Sequence, residues 1–133
     1  MTDDSLDPAL VELANALLDA ASQGDAATVR AFLDRGAPAN LRDAAGNSPL
    51  MLAAYHGHAA LVTELAARGA DVDLVNDRGQ SPLAGAAFKG FIDVAEALLE
   101  AGADPDVGEP SALATARYFA RDEIVGLIES RRS

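Results

Sequence analysis

A chain of 133 residues is enough for one domain, and half of it is hydrophobic, as in ordinary globular proteins. There is no cysteine, which excludes disulfides, thiolate metal sites and a thiol nucleophile, and no apolar run approaches the roughly 20 residues that cross a bilayer. A formal net charge of −11 repels phosphate backbones and lipid head groups, which argues against nucleic acid and membrane as partners and favours a basic protein partner or simple solvation.

Met1-Thr2-Asp3-Asp4-Ser5 is acidic where a signal peptide would be basic, so a cytoplasmic protein is expected. Asp7-Pro8 reads as an N-cap followed by proline at the first helical position. Leu10, Leu13 and Leu17, with Ala14 and Ala21, then predict the buried stripe of a helix ending near Ser22. Val29, Phe32 and Leu33 fill a second helix, and Pro38 and Asn40 open a loop.

From Gly46 onward the chain repeats itself. Gly46, Ser48-Pro49-Leu50, Ala53-Ala54, Gly57 and Gly69-Ala70-Asp71 return 33 residues later as Gly79, Ser81-Pro82-Leu83, Ala86-Ala87, Gly90 and Gly102-Ala103-Asp104. One constant shift across so many positions means one structural unit used repeatedly. Ser48 and Ser81 suit N-caps, and Pro49 and Pro82 suit the first helical position, where a missing N–H costs nothing. The Ala pairs keep a first helix thin enough for close approach. Gly57 and Gly90 permit a tight turn. Leu61, Val62 and Leu65, or Val94, Ala95 and Leu98, form the apolar stripe of a second helix. Glu64 departs from this pattern, because Ala31 and Ala97 hold its place in the other copies; pairing with Arg68 at four-residue spacing is expected, with at least its tip exposed.

Both ends echo the unit imperfectly. Gly24 and Gly36-Ala37 lie 33 residues before Gly57 and Gly69-Ala70, with Asn15-Ala16-Leu17 in place of Ser-Pro-Leu. This predicts a first unit with a more polar outer face, since nothing stacks beyond it. Ser111-Ala112-Leu113 lies only 30 after Ser81-Pro82-Leu83, which predicts a stunted loop at residues 107–110. Ile124, Val125, Leu127 and Ile128 form a closing helix, with Arg131 and Arg132 suited to the negative end of its dipole.

On these residues the chain resembles the ankyrin repeat family, whose units open Thr-Pro-Leu-His, continue with an Ala pair and a Gly-His turn, and end Gly-Ala-Asp-Val-Asn. Met51 and Ala84 stand where the family usually has a His that bonds between neighbouring repeats; Met51 fills that space as an apolar group. The resemblance implies an all-α ankyrin-repeat solenoid of four stacked helix–turn–helix units with short projecting loops. Residues 1–43 would be an N-terminal capping repeat, 44–76 and 77–108 two full repeats, and 109–133 a C-terminal capping repeat. The Ala-rich, Arg-containing composition suggests a bacterial source.

Chemistry is sparse. His56 and His58 have no third ligand at sensible spacing, so no metal or cofactor is expected. No phosphate loop or nucleophile elbow occurs, and Asp71, Asp73, Asp104 and Asp106 read as turn formers that bond backbone, so no catalytic residue and no enzyme are expected. Tyr55, Phe88 and Tyr118 recur at one position after the Ala pair, followed by His56, Lys89 and Phe119; Ser22 breaks the row in the first unit. By the resemblance, this position ends the inner helix on the concave face, beside the projecting loops. The rings either anchor a partner or pack against one another to stiffen the row. The loop tips, with Arg42, Asp43, Ala44, Asn47, Asn76, Asp77, Arg78 and Gln80, are a second surface; Asn47, Arg78 and Gln80 join the row as partner-binding candidates.

The resulting expectation is a non-enzymatic protein–protein interaction module, an adaptor or regulator, binding a protein partner through the concave face and loop tips. A monomer is expected. The alternatives are an inhibitor or immunity-type protein capping a basic enzyme, a scaffold that self-associates through the rings, and a hydrolase that would need His56.

Overall fold

Ser48 Oγ accepts a hydrogen bond from the Met51 N–H at 3.1 Å, and Ser81 and Ser111 do the same for Ala84 and Ala114 at 3.0 and 3.1 Å. These bonds satisfy donors that a helix start leaves orphaned. They begin three of the eight helices in a computed structural model of the chain, which describes residues 7–132. Met1 to Ser5 and the side chain of Arg132, both given roles from the sequence, lie outside the described residues.

The helices form four successive pairs: α1 (Pro8–Gln23) with α2 (Ala26–Asp34), α3 (Pro49–Tyr55) with α4 (Ala59–Ala67), α5 (Pro82–Lys89) with α6 (Ile92–Glu100), and α7 (Ala112–Tyr118) with α8 (Asp122–Arg132). The first members pack in a row, α1 on α3 on α5 on α7, and α4, α6 and α8 form a second row. No strand occurs among the described residues. The fold is an all-α repeat solenoid, as the 33-residue echo predicts.

The core is one continuous cluster running through all four pairs. Leu17, Leu50 and Leu83, spaced 33 apart, are each 0 % exposed. The Ala pairs are sealed, and Leu61, Val62, Leu65, Val94, Ala95 and Leu98 are buried. Met51 is 2 % exposed, so it does fill the space between neighbouring units. Its Cε would lie 3.1 Å from a Cβ on Gly85, which accounts for a glycine inside α5.

The turn glycines carry a feature the sequence did not suggest. A Cβ on Gly24 would come within 2.6 Å of the His58 ring, one on Gly57 within 3.3 Å of Phe91, and one on Gly90 within 3.1 Å of Arg121. Each unit thus leans one side chain over the preceding turn. His58 Nε2 donates to the Ser22 carbonyl at 2.9 Å, and Arg121 donates to the Ala87 and Phe88 carbonyls at 3.1 and 2.8 Å. The polar latches satisfy carbonyls that a helix end leaves free.

The loops are also linked across units. Asp43 and Asn76 each accept two backbone N–H groups to close a turn. Asp71 and Asp104 each accept one, from Asp73 and Asp106, while Asp73 accepts the Asp104 N–H at 2.9 Å. These aspartates act on backbone, as expected. Burial pushes the Asp73 carboxyl above its ordinary value.

Two expectations fail at the amino-terminal end. Leu10 and Leu13 are 55 % and 53 % exposed rather than buried. Leu17 matches Leu50, so α3 begins opposite Ala16 and nothing on α3 reaches the first two turns of α1. For the same reason the first unit does not show a more polar outer face: Leu10, Val11 and Leu13 all meet solvent. Its second helix is tied to the next unit by charge. Arg30 grips Glu64 through two hydrogen bonds of 2.7 and 3.1 Å, and Arg68 reaches Asp34 at 2.8 Å. The Glu64–Arg68 contact is present at 3.5 Å but secondary. The Arg30 guanidinium holds the Glu64 carboxyl below its ordinary range.

Candidate functional site

The tightly packed inner row fixes where each unit presents the residue after its Ala pair. Ala53, Ala54, Ala86 and Ala87 are buried against neighbouring helices, so the next side chain emerges at the helix end. There Tyr55 and Phe88 stack at 6.4 Å with planes 10° apart, within the usual range for aromatic pairs. Phe88 continues edge-on to Phe119 at 5.2 Å, and Phe119 edge-on to Tyr118 at 4.9 Å. The row therefore runs Tyr55, Phe88, Phe119, Tyr118. The three residues at the repeat spacing do not form it alone, because Tyr118 swings outward and Phe119 takes the place beside Phe88.

The rings pack on each other and still face solvent. Tyr55 is half-buried, Phe88 and Phe119 are partly exposed, and Tyr118 is 81 % exposed. The expected packing of the rings against one another is present, and it leaves their outer faces exposed. Lys89 Nζ sits 4.9 Å from the Tyr55 centroid and 5.8 Å from that of Phe91, a cation–π arrangement. His56 is exposed and meets Tyr55 edge-on at 5.8 Å. Arg121 lies 5.9 Å over Phe119 while its donors hold the end of α5. Arg117 pairs with Glu129 at 3.2 Å. The rings thus sit among cations in a protein whose formal charge is −11.

The loop tips are elsewhere. Asn47 and Gln80 immediately precede the N-caps of α3 and α5, whereas Tyr55 ends α3 and Phe88 falls in the last turn of α5. At 1.5 Å per residue, an inner helix separates the two surfaces by roughly 10 Å. The expectation that the rings lie beside the projecting loops is therefore corrected: they sit at the helix–helix turns. Asn47 is engaged inside the fold, accepting from Asn76 Nδ2 at 2.9 Å. Arg42 ties two loops through the Gly46 and Val75 carbonyls. Arg78 is exposed and pairs with no carboxylate among the described residues, and Gln80 is half-buried. In the shortened third loop, Glu109 N–H bonds back to the Gly79 carbonyl at 2.9 Å.

Phe91 and Arg121 belong to the site and were missed by sequence reasoning. Their signal was present, since both immediately follow the turn, in register with His58. Among the described residues, no group of three or more His, Asp or Glu converges to hold a metal, and no helix is long and apolar enough to cross a membrane.

Compared with known proteins, residues 17–109 match the model of a family described as ankyrin repeats (3 copies). No curated protein matches the chain significantly.

Proposed function

The chain belongs to the ankyrin repeat family, and from that premise we propose that it is a non-enzymatic adaptor or regulator that grips a protein partner through its row of rings. Ankyrin repeats are in general protein–protein interaction modules. The observation that carries the reading is the row itself: Tyr55, Phe88, Phe119 and Tyr118 are held by mutual contacts yet keep exposed faces. Preset aromatic surface binds at low cost in side-chain entropy, and tyrosine is enriched at binding hot spots. Arg78 and Gln80 on the loop tips would add a second, weaker contact, and Lys89 and His56 would set orientation at the row. We place the protein in the cytoplasm. We also read residues 1–43 and 109–133 as capping units around two full repeats.

The test is affinity capture from native lysate with the wild-type chain and with a Tyr55→Ala, Phe88→Ala, Tyr118→Ala variant. The variant should lose the captured partner while its helical circular dichroism is unchanged. Equal capture by both proteins would remove the row from the binding surface.

A further inference from the structure

The large exposed apolar side chains fall mainly into two groups: the ring row, and the first two turns of α1. The second group borders a groove of about 820 Å³, in which Leu10 and Leu13 face Phe32, Arg35, Pro38 and Leu41 of α2 and its following loop. Apolar surface concentrated in this way usually marks a contact.

We propose that this groove joins two copies of the chain, each laying its α1 into the groove of the other about a two-fold axis. Three observations select this occupant. First, α1 is itself the shape required, a helix with Leu10 and Leu13 exposed on its stripe. Second, among the described residues Arg35 is the only charged side chain lining the groove, and it pairs with no carboxylate there. A carboxylate on the occupant complements it, and Asp7, which also caps α1 by accepting the Ala9 N–H at 2.9 Å, heads the same stripe as Leu10, Ala14 and Leu17 at helical spacing. Third, the short turn at Gly24-Asp25 sends the nine residues of α2 back along α1, so Arg35 lies level with the middle of α1, beside the Leu10 to Ala14 stretch that lines the groove. Two-fold symmetry makes each contact twice. This departs from the monomer expected from the sequence and does not depend on the ring row.

Sedimentation equilibrium of the full chain, from about 1 µM to about 1 mM, tests it. A monomer–dimer equilibrium is expected, with Kd raised at least tenfold by Leu13→Glu and also raised by Arg35→Glu, but unchanged by Tyr55→Ala with Phe88→Ala. Circular dichroism checks that each variant is folded. Should Leu13→Glu lose helical signal, Leu10→Gln probes the same surface. A protein that stays monomeric to about 1 mM, or a dimer indifferent to the leucine or the arginine change, overturns the proposal.

Discussion

The two ends of the stack are finished differently. At the carboxyl-terminal end α8 turns Ile124 and Ile128 inward, each 1 % exposed, and shows solvent Asp122, Glu123, Glu129 and Ser130. At the amino-terminal end α1 runs past its neighbour and leaves leucines in water, while α2 buries only Val29 fully and is tied to α4 by an Arg30–Glu64 grip and an Arg68–Asp34 pair. A repeat stack needs each end closed, because an internal unit's apolar stripe is complete only when something stacks on it. One end is closed by apolar packing with a polar exterior. The other joins the core through Leu17, Ala20, Ala21 and Val29, adds ion pairs on its second helix, and is left open beside Leu10 and Leu13.

The largest expected effect separates the closed middle from the open end. Leu83→Ala removes a side chain that is 0 % exposed, and should cost roughly 2–5 kcal/mol in urea unfolding. Leu13→Ser, at a residue 53 % exposed, should stay within about 0.5 kcal/mol at protein concentrations where the chain is monomeric. If Leu13→Ser costs as much as Leu83→Ala, the groove is closed in solution and the contrast between the ends disappears.

The same contrast marks what could be read from the chain alone. The repeat spacing located the helices, the serine caps and the buried leucines, because these depend on residues within one unit and on a shift that holds across units. Leu10 and Leu13 were misread because helical periodicity shows that a stripe exists, and gives no information on whether a neighbour is long enough to cover it. Glu64 was matched to Arg68 at four residues, whereas its main partner, Arg30, is 34 residues away. That partner follows once the shift between units is applied to side chains as well as to glycines. For the ring row, the spacing found Tyr55 and Phe88, and the 30-residue shift set Tyr118 at the equivalent end of α7, as the matching Ser81 and Ser111 caps show. Phe119 rather than Tyr118 meets Phe88, and a choice between adjacent residues at a helix end depends on backbone geometry that spacing does not carry.

A smaller and more selective effect is expected from acid. Two carboxyls held below their ordinary values both serve the amino-terminal pair: Asp25, through the Thr28 hydroxyl and N–H at the start of α2, and Glu64, through Arg30. A depressed folded-state pKa gives stability that is present above the ordinary values of 3.8 and 4.5 and is lost as pH falls through the lower folded values. Asp73 has the opposite sign. Its pKa is raised by burial, so its charge costs stability above the raised value, and that cost is absent below 3.8. Amide exchange followed helix by helix as pH falls below 4.5 should show α2 losing protection before α6. Simultaneous loss in both helices would mean that the ion network does not set the stability of the amino-terminal end.

The smallest effect concerns the ion pair between α8 and α6 at the closed end. Arg131 reaches Glu100 of α6 at 3.9 Å, with both side chains well exposed. Such a pair gains little in water, because screening and the entropy of holding two long side chains offset the attraction. The neighbouring Ile128 already joins α8 to the core without it. Arg131→Ala should therefore change unfolding free energy by no more than about 0.5 kcal/mol, with the urea midpoint almost unmoved. A loss near 2 kcal/mol, well above the usual worth of a surface pair, would show that charge fastens both ends. In that case apolar packing of α8 could not be what closes the stack, and the open groove beside α1 would no longer set the two ends apart in kind.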